Sequence, residues 1–310
     1  MMRSLYSGIS GLKNHQTRMD VIGNNIANVN TTGYKASRVV FQDIFSQTVK
    51  SGMANTGISG GTNPMQIGLG IRLSTVDVLH TWAPFGRTDN EFDMMVTGDG
   101  FFIVQGPEGP ESFFYTRAGN FGLDNEGYLV TSDGMYVMGY MADFEGLYIA
   151  ADPDGTPPRP NPTIDIDGLA YSPDQLSRIR LRVDGDDPDA DPPVDLYGFS
   201  VLEDGTISVF IDNQKVNIGM IALALFSSNN GLEKAGNSLY RATASSGAMI
   251  DTPALQNGAG RINAGGLEMS NVDLATEFTD MIVTQRGYQA NSRIITVSDS
   301  LLEELVNLKR

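Results

Sequence analysis

The 310-residue chain has no cysteine, only two histidines and one tryptophan. Without thiols there are no disulfides, thiolate metal sites or cysteine nucleophiles, and the compartment stays open, because the absence suits both cytosol and an extracellular fibre. His15 and His80 have no acid or nucleophile near them in sequence and are read as packing or surface residues rather than members of a triad. No run of about 18 apolar residues is present to cross a bilayer, and the N-terminus lacks the apolar stretch and small-residue cleavage site of a secretory signal. Positive charge is scarce: 21 Lys and Arg face 37 Asp and Glu, a net charge of −16. That balance argues against nucleic acid or membrane insertion as a partner mode. No cofactor or metal is expected.

What the chain does have is a long unbroken helical pattern at its end. Leu274, Phe278, Met281, Gln285, Tyr288, Ser292, Ile295, Asp299 and Leu302 recur at a 4-3-4-3 spacing, one seam of a helix expected over residues 271–308. Ser270 and Asn271 are placed to cap its first turn, with Asp273 and Glu277 favourable against the positive end of the macrodipole. Such a helix is roughly 55 Å long at ~1.5 Å per residue and needs a partner. The opposite end supplies a candidate: Leu5, Ile9, Leu12, Gln16, Met19 and Ile26 share nearly one heptad phase, widened by Ile22 and Val29. Residues 1–50 carry six bases against two acids and residues 265–310 seven acids against four bases, so the ends attract weakly. One reading is a terminal hairpin within a single chain. The preferred one is that the seams, interrupted by Gln16, Gln285, Ser292 and Asp299, pack between molecules, the interruptions fixing register at a cost in stability.

Between the ends the period changes to two. Short apolar or alternating runs at 68–73, 101–105, 112–117, 128–131, 135–141, 196–202, 206–211 and 215–226 are separated by turn clusters such as Asn125-Glu126-Gly127 and Ser132-Asp133-Gly134. The expected fold class is α+β: long terminal helices forming a coiled-coil-like inner domain (1–35 and 268–310) and an antiparallel β-rich body (66–141 and 196–267). Residues 36–65 are expected as an extended connecting loop, and 142–195, with thirteen acids against four bases, as an acidic insertion or small outer module. Two motifs in these segments suggest chemistry. Gly57-Ile58-Ser59-Gly60-Gly61 matches a nucleophile elbow but lacks the strand before and helix after that an elbow needs, leaving a secreted serine hydrolase as a remote alternative. The acidic run 184–191 lacks the glycine and terminal glutamate of a calcium loop and is read as solvated.

The termini also carry longer motifs. Ser7-Gly8-Ile9-Ser10-Gly11-Leu12, Met19-Asp20-Val21-Ile22-Gly23-Asn24-Asn25-Ile26-Ala27-Asn28 and Thr32-Gly33-Tyr34-Lys35 resemble the N-terminal signature of the bacterial flagellar rod and hook proteins. Ser270-Asn271-Val272-Asp273-Leu274 and Gln285-Arg286-Gly287-Tyr288-Gln289-Ala290-Asn291 resemble their C-terminal signature. On the residues alone, the four asparagines before Gly33 mark a helix end turning into an ordered bend. The resemblance implies a non-enzymatic structural subunit exported by the flagellar type III apparatus and added beneath a cap to a helical tube of its own copies. It implies as neighbours the hook cap, the distal rod and the hook–filament junction proteins. The ends look most like the short hook proteins of Gram-positive bacteria; the distal rod protein shares both signatures and resembles the chain in the segment 47–66. The polar-interrupted seams predict ends that are largely unfolded in the monomer and become helical on polymerisation.

Overall fold

Helix α1 spans Met2–Ala27 and helix α2 spans Leu274–Leu308. The computed structural model describes residues 2–54, 60–106, 109, 112–141, 148–149, 159–160, 176–183, 194–195, 197–211 and 214–308. Ser59 and the acidic run 184–191 lie outside these residues. The chain forms two units: residues 1–29, 35–79 and 272–310 make the first, residues 30–34 and 80–271 the second.

In the first unit α1 and α2 run antiparallel within one chain, so the terminal-hairpin arrangement holds here rather than a pairing reserved for separate copies. Gly8 lies against Ile295, Gly11 against Asn291 and the His15 ring against Gly287. Further along, the Arg18 guanidinium donates to Asp280 at 2.9 Å and the Asn25 amide to Glu277 at 2.9 Å. The physical reason is that small side chains on facing turns let the backbones approach without burying much apolar surface. Only Ser270 and Asn271 were expected to cap α2, but Asp273 does so, accepting from the Ala275 N–H at 3.0 Å and the Thr276 hydroxyl at 2.7 Å. Those bonds to the charged form, Thr276 first, hold the Asp273 carboxyl below its usual range.

The segment 36–65 differs from the extended loop expected of it. Strand Ser37–Asp43 pairs antiparallel with Ile71–Val78, and Ser46–Lys50 with Met65–Gly68. The β-branched and aromatic run Val39-Val40-Phe41 is the cause, because it finds Val76, Thr75 and Leu73 directly across the ladder. Strand Ile71–Val78 thereby joins the helical unit instead of the β body. The Asn14 amide of α1 donates to the Ile71 carbonyl at 2.8 Å, fastening the ribbon to the helix.

The second unit is an antiparallel β body. Its main sheet runs in the order Tyr197–Val201, Thr206–Ile211, Gln214–Leu225, Tyr136–Met141, Phe101–Gln105, Phe113–Thr116, Leu239–Arg241, Glu233–Gly236. The central strand Phe101–Gln105 is buried on both faces. Because successive side chains point to opposite faces, Phe102 and Val104 enter one core with Ile207, Ile221 and Leu223, while Phe101 and Ile103 enter a second with Tyr115, Ala222 and Tyr240. The strand run 176–181 is part of this body rather than of an insertion: Ser177–Arg178 pairs with Tyr136–Met141, and Ile179 and Leu181 are core residues.

Candidate functional site

The signature residues fall into two groups. In the helical unit, Asn25 is buried and makes three hydrogen bonds: its amide donates to the Ser37 carbonyl and to Glu277, both at 2.9 Å, and its carbonyl accepts the Ser37 N–H at 3.0 Å. Asn24 and Asn28 act locally, the Asn28 amide donating to the Asn24 carbonyl at 2.9 Å and side chain at 2.8 Å, while Ala27 is exposed. Burial holds the Glu277 carboxyl above its usual range, with Asp280 and Asp273 adding to this and Asn25 and Arg18 opposing it. His15 is held below its ordinary value by burial and then by Arg18. Its ring meets the Phe41 ring edge-on at 6.1 Å.

In the β body, Gly33 takes φ 66°, and a Cβ there would come within 2.6 Å of the Ala118 nitrogen. Only glycine fits that left-handed bend at no steric cost. Its N–H donates to the Glu268 carbonyl at 2.8 Å, tying residues 30–34 to strand Gly266–Glu268. The Lys234 ammonium sits 4.7 Å from the centre of the Tyr34 ring. Behind this bend lies a pair that sequence reasoning missed. Arg117 and Glu268, 3% and 1% exposed, stand 3.6 Å apart, and the guanidinium donates to the Val96 carbonyl at 3.0 Å and the Gly98 carbonyl at 2.7 Å. Burial lowers the Arg117 pKa and Glu268 opposes this. Ser270 is buried and Asn271 donates to the Thr81 hydroxyl at 2.8 Å, while Val272, half-buried, opens the helical unit's last segment.

The seam residues divide. Ile22 is buried; Leu5, Leu12, Met19, Ile26, Met281, Ile295 and Leu302 are half-buried; Ile9, Leu274, Phe278, Gln285 and Tyr288 are exposed. Arg286 is exposed and donates to Gln289 at 3.2 Å. The face that α2 turns inward is shifted by one residue from the expected seam, with Thr284 and Ser298 buried where Gln285 and Asp299 were expected. Gly11, Asn14, Arg18, Ile22 and Asn25 repeat at three and four along α1 and could have been found as a small and polar face. The outer face keeps its apolar residues: Phe278 is 50%, Ile282 59% and Val297 56% exposed. Large apolar side chains left uncovered in this way mark an interaction surface. His80, the other histidine, packs in a triangle with the rings of Phe101 at 5.7 Å and Tyr240 at 5.6 Å in the β body.

Three stretches match known families: residues 5–35 the flagella basal body rod protein family, 95–209 the flagellar hook protein FlgE/F/G D1 domain, and 263–308 the flagellar basal body rod FlgEFG protein C-terminal region. Over its whole length the chain is 43% identical to the flagellar basal-body rod protein FlgG of Bacillus subtilis, covering 100% of both. It is 34% identical to the flagellar hook protein FlgE of Borreliella burgdorferi, again over 100% of both, and 32% identical to FlgG of the same organism. Together the terminal signatures, the paired end helices and these full-length matches show that the chain belongs to the flagellar rod and hook protein family, structural components of the bacterial flagellum.

Proposed function

We propose that the chain is the subunit of the flagellar hook, polymerising through its terminal helices into a curved tube that couples rod to filament and transmits torque. One observation carries this reading: the β body gathers most of its large apolar residues into two buried clusters, whereas the helices bury Ile22 alone among their described large apolar side chains and leave Phe278, Ile282, Val297 and Leu301 uncovered. Copies packed side by side around an axis bury that row, the helices then forming a coiled-coil-like inner domain. The hook cap, distal rod, hook–filament junction proteins and type III export apparatus are the partners of such a subunit.

Full-length similarity to the hook protein of Borreliella burgdorferi supports the hook. The second reading, the distal rod, draws on the full-length similarity to the rod protein of Bacillus subtilis and on the exposed ribbon Ser46–Lys50 and Met65–Gly68, in the segment where the chain resembles rod proteins. Electron microscopy of the purified, polymerised protein separates the two: a short curved tube is expected, a straight tube makes it the rod, and no polymer at any concentration overturns both.

A further inference from the structure

The sequence 178–182 reads Arg-Ile-Arg-Leu-Arg, a period of two that sends Ile179 and Leu181 into the core and Arg178 and Arg180 to the other face. Each arginine is laid on a tyrosine. The Arg178 guanidinium stands 4.3 Å from the centre of the Tyr136 ring and that of Arg180 5.3 Å from Tyr128, and the two rings meet edge-on at 5.3 Å. Arg178 is held further by its Nε–H, which donates to the side-chain Oε1 of the buried Gln105 at 2.7 Å. Stacking and that bond hold the fork at an open groove of about 360 Å³ that Arg178 lines with Gly106, Asp133, Gly134 and Met135. A planar fork immobilised in advance loses little rotamer freedom when it binds a carboxylate through two parallel hydrogen bonds. Asp133, at the same groove, accepts hydrogen bonds and thus suits a ligand that brings N–H donors beside its carboxylate, as an extended acidic peptide does.

We infer that this arginine–tyrosine ladder is a docking surface for the acidic run 184–191 of a second copy of the chain. The inference rests on the reading that copies polymerise. Subunits carrying −16 repel one another, so contact is favoured where a local positive surface meets the densest negative one. The chain supplies both: three of the four bases in residues 142–195 are Arg178, Arg180 and Arg182, and five of its thirteen acids are Asp184, Asp186, Asp187, Asp189 and Asp191. The same net charge disfavours an anionic wall polymer as the occupant. Ladder on one copy and acidic run on the next make a heterologous contact, the kind that propagates along an open helix.

Two measurements test this on the full-length protein. A fluorescent peptide of residues 184–191 should bind the wild-type monomer in low salt, weaken as salt rises, and bind roughly tenfold more weakly to Arg178→Glu, with Arg178→Lys between them because it keeps the charge and loses the fork. Circular dichroism and thermal melting confirm that each variant is folded. In polymerisation, the chain with Arg178→Glu and Arg180→Glu and the chain with Asp186→Lys, Asp187→Lys and Asp189→Lys should each assemble poorly alone and co-assemble when mixed. Rescue only when both sets of changes sit in one chain would place the contact within a subunit and overturn the proposal. So would normal assembly of the arginine variant, absence of peptide binding by wild type, or tighter binding of a glycerol-phosphate polymer than of the peptide. A wild-type chain that binds the peptide yet never polymerises would overturn the hook and rod readings and leave the ladder's docking intact.

Discussion

The two units solve the problem of burial differently. In the β body the large residues of the central strands, Phe102, Ile103, Ile221 and Leu223, are fully covered by the unit's own chain. In the helical unit Ile22 is the one large apolar side chain of the helices among the described residues that is buried, and the inward positions go instead to Gly8, Gly11, Asn25, Thr284 and Ser298. Fully burying a leucine- or phenylalanine-sized side chain contributes about 1.5–3 kcal/mol, so the body gains far more stability from its own burial than the helical pair does. The difference teaches that the body carries stability while the helices hold their apolar surface in reserve for association.

The largest expected effect breaks that comparison at the body. Phe102→Ala removes a side chain shared between the central strand and the Phe121 ring, 5.1 Å away, and should cost about 3–5 kcal/mol, read as a lowered melting temperature. Phe278→Ala, on the exposed row, should leave monomer melting within about 0.5 kcal/mol while raising the concentration needed to polymerise. An equal loss from both changes would show that the helices are as complete as the body.

Next in size is Asn25→Ala, which strips the hydrogen bonds to Ser37 and Glu277 from a buried site. About 2–3 kcal/mol should be lost from the helical unit, seen by hydrogen exchange in α1, with body amides unchanged. Gly33→Ala is expected to cost about 1–2 kcal/mol from the left-handed backbone alone, plus the clash at Ala118, and to register in the body instead.

The smallest effect is with pH. His15 titrates lower in the folded unit than in the unfolded chain, so the unfolded state binds the extra proton. Stability is therefore complete above the unfolded value of about 6.5 and declines as pH falls through it towards the folded pKa. Helical circular dichroism of the monomer should lose thermal stability across that window. His15→Leu should flatten the dependence, leaving the carboxylate titrations at lower pH.

Much of this was legible in residue order. The α2 range, most body strands and the switch from a period near 3.5 to a period of two follow from apolar spacing alone. The inward face of the helices did not, because the search followed apolar residues while the contact is made by small and polar ones. Thr284 rather than Gln285 faces inward for that reason. Local spacing also could not show that Val39-Val40-Phe41 would meet Leu73 and Val76, or that Arg117 and Glu268, far apart in the chain, would be buried together. Strand pairing and buried ion pairs depend on which distant segment comes alongside. The alternation of 178–182 was visible but lay inside a stretch read only for its acids.

The unequal lengths of α1 and α2 have a geometric consequence. With Gly11 beside Asn291, α1 reaches its first residue near position 300, and the last two turns of α2, bearing Leu301, Leu305 and Leu308, project beyond it. On the proposed reading, in which copies stack along the helix axis, one tip of the column would present this peg and the other would not. A newcomer would then meet two chemically distinct landing places, which would give elongation a direction.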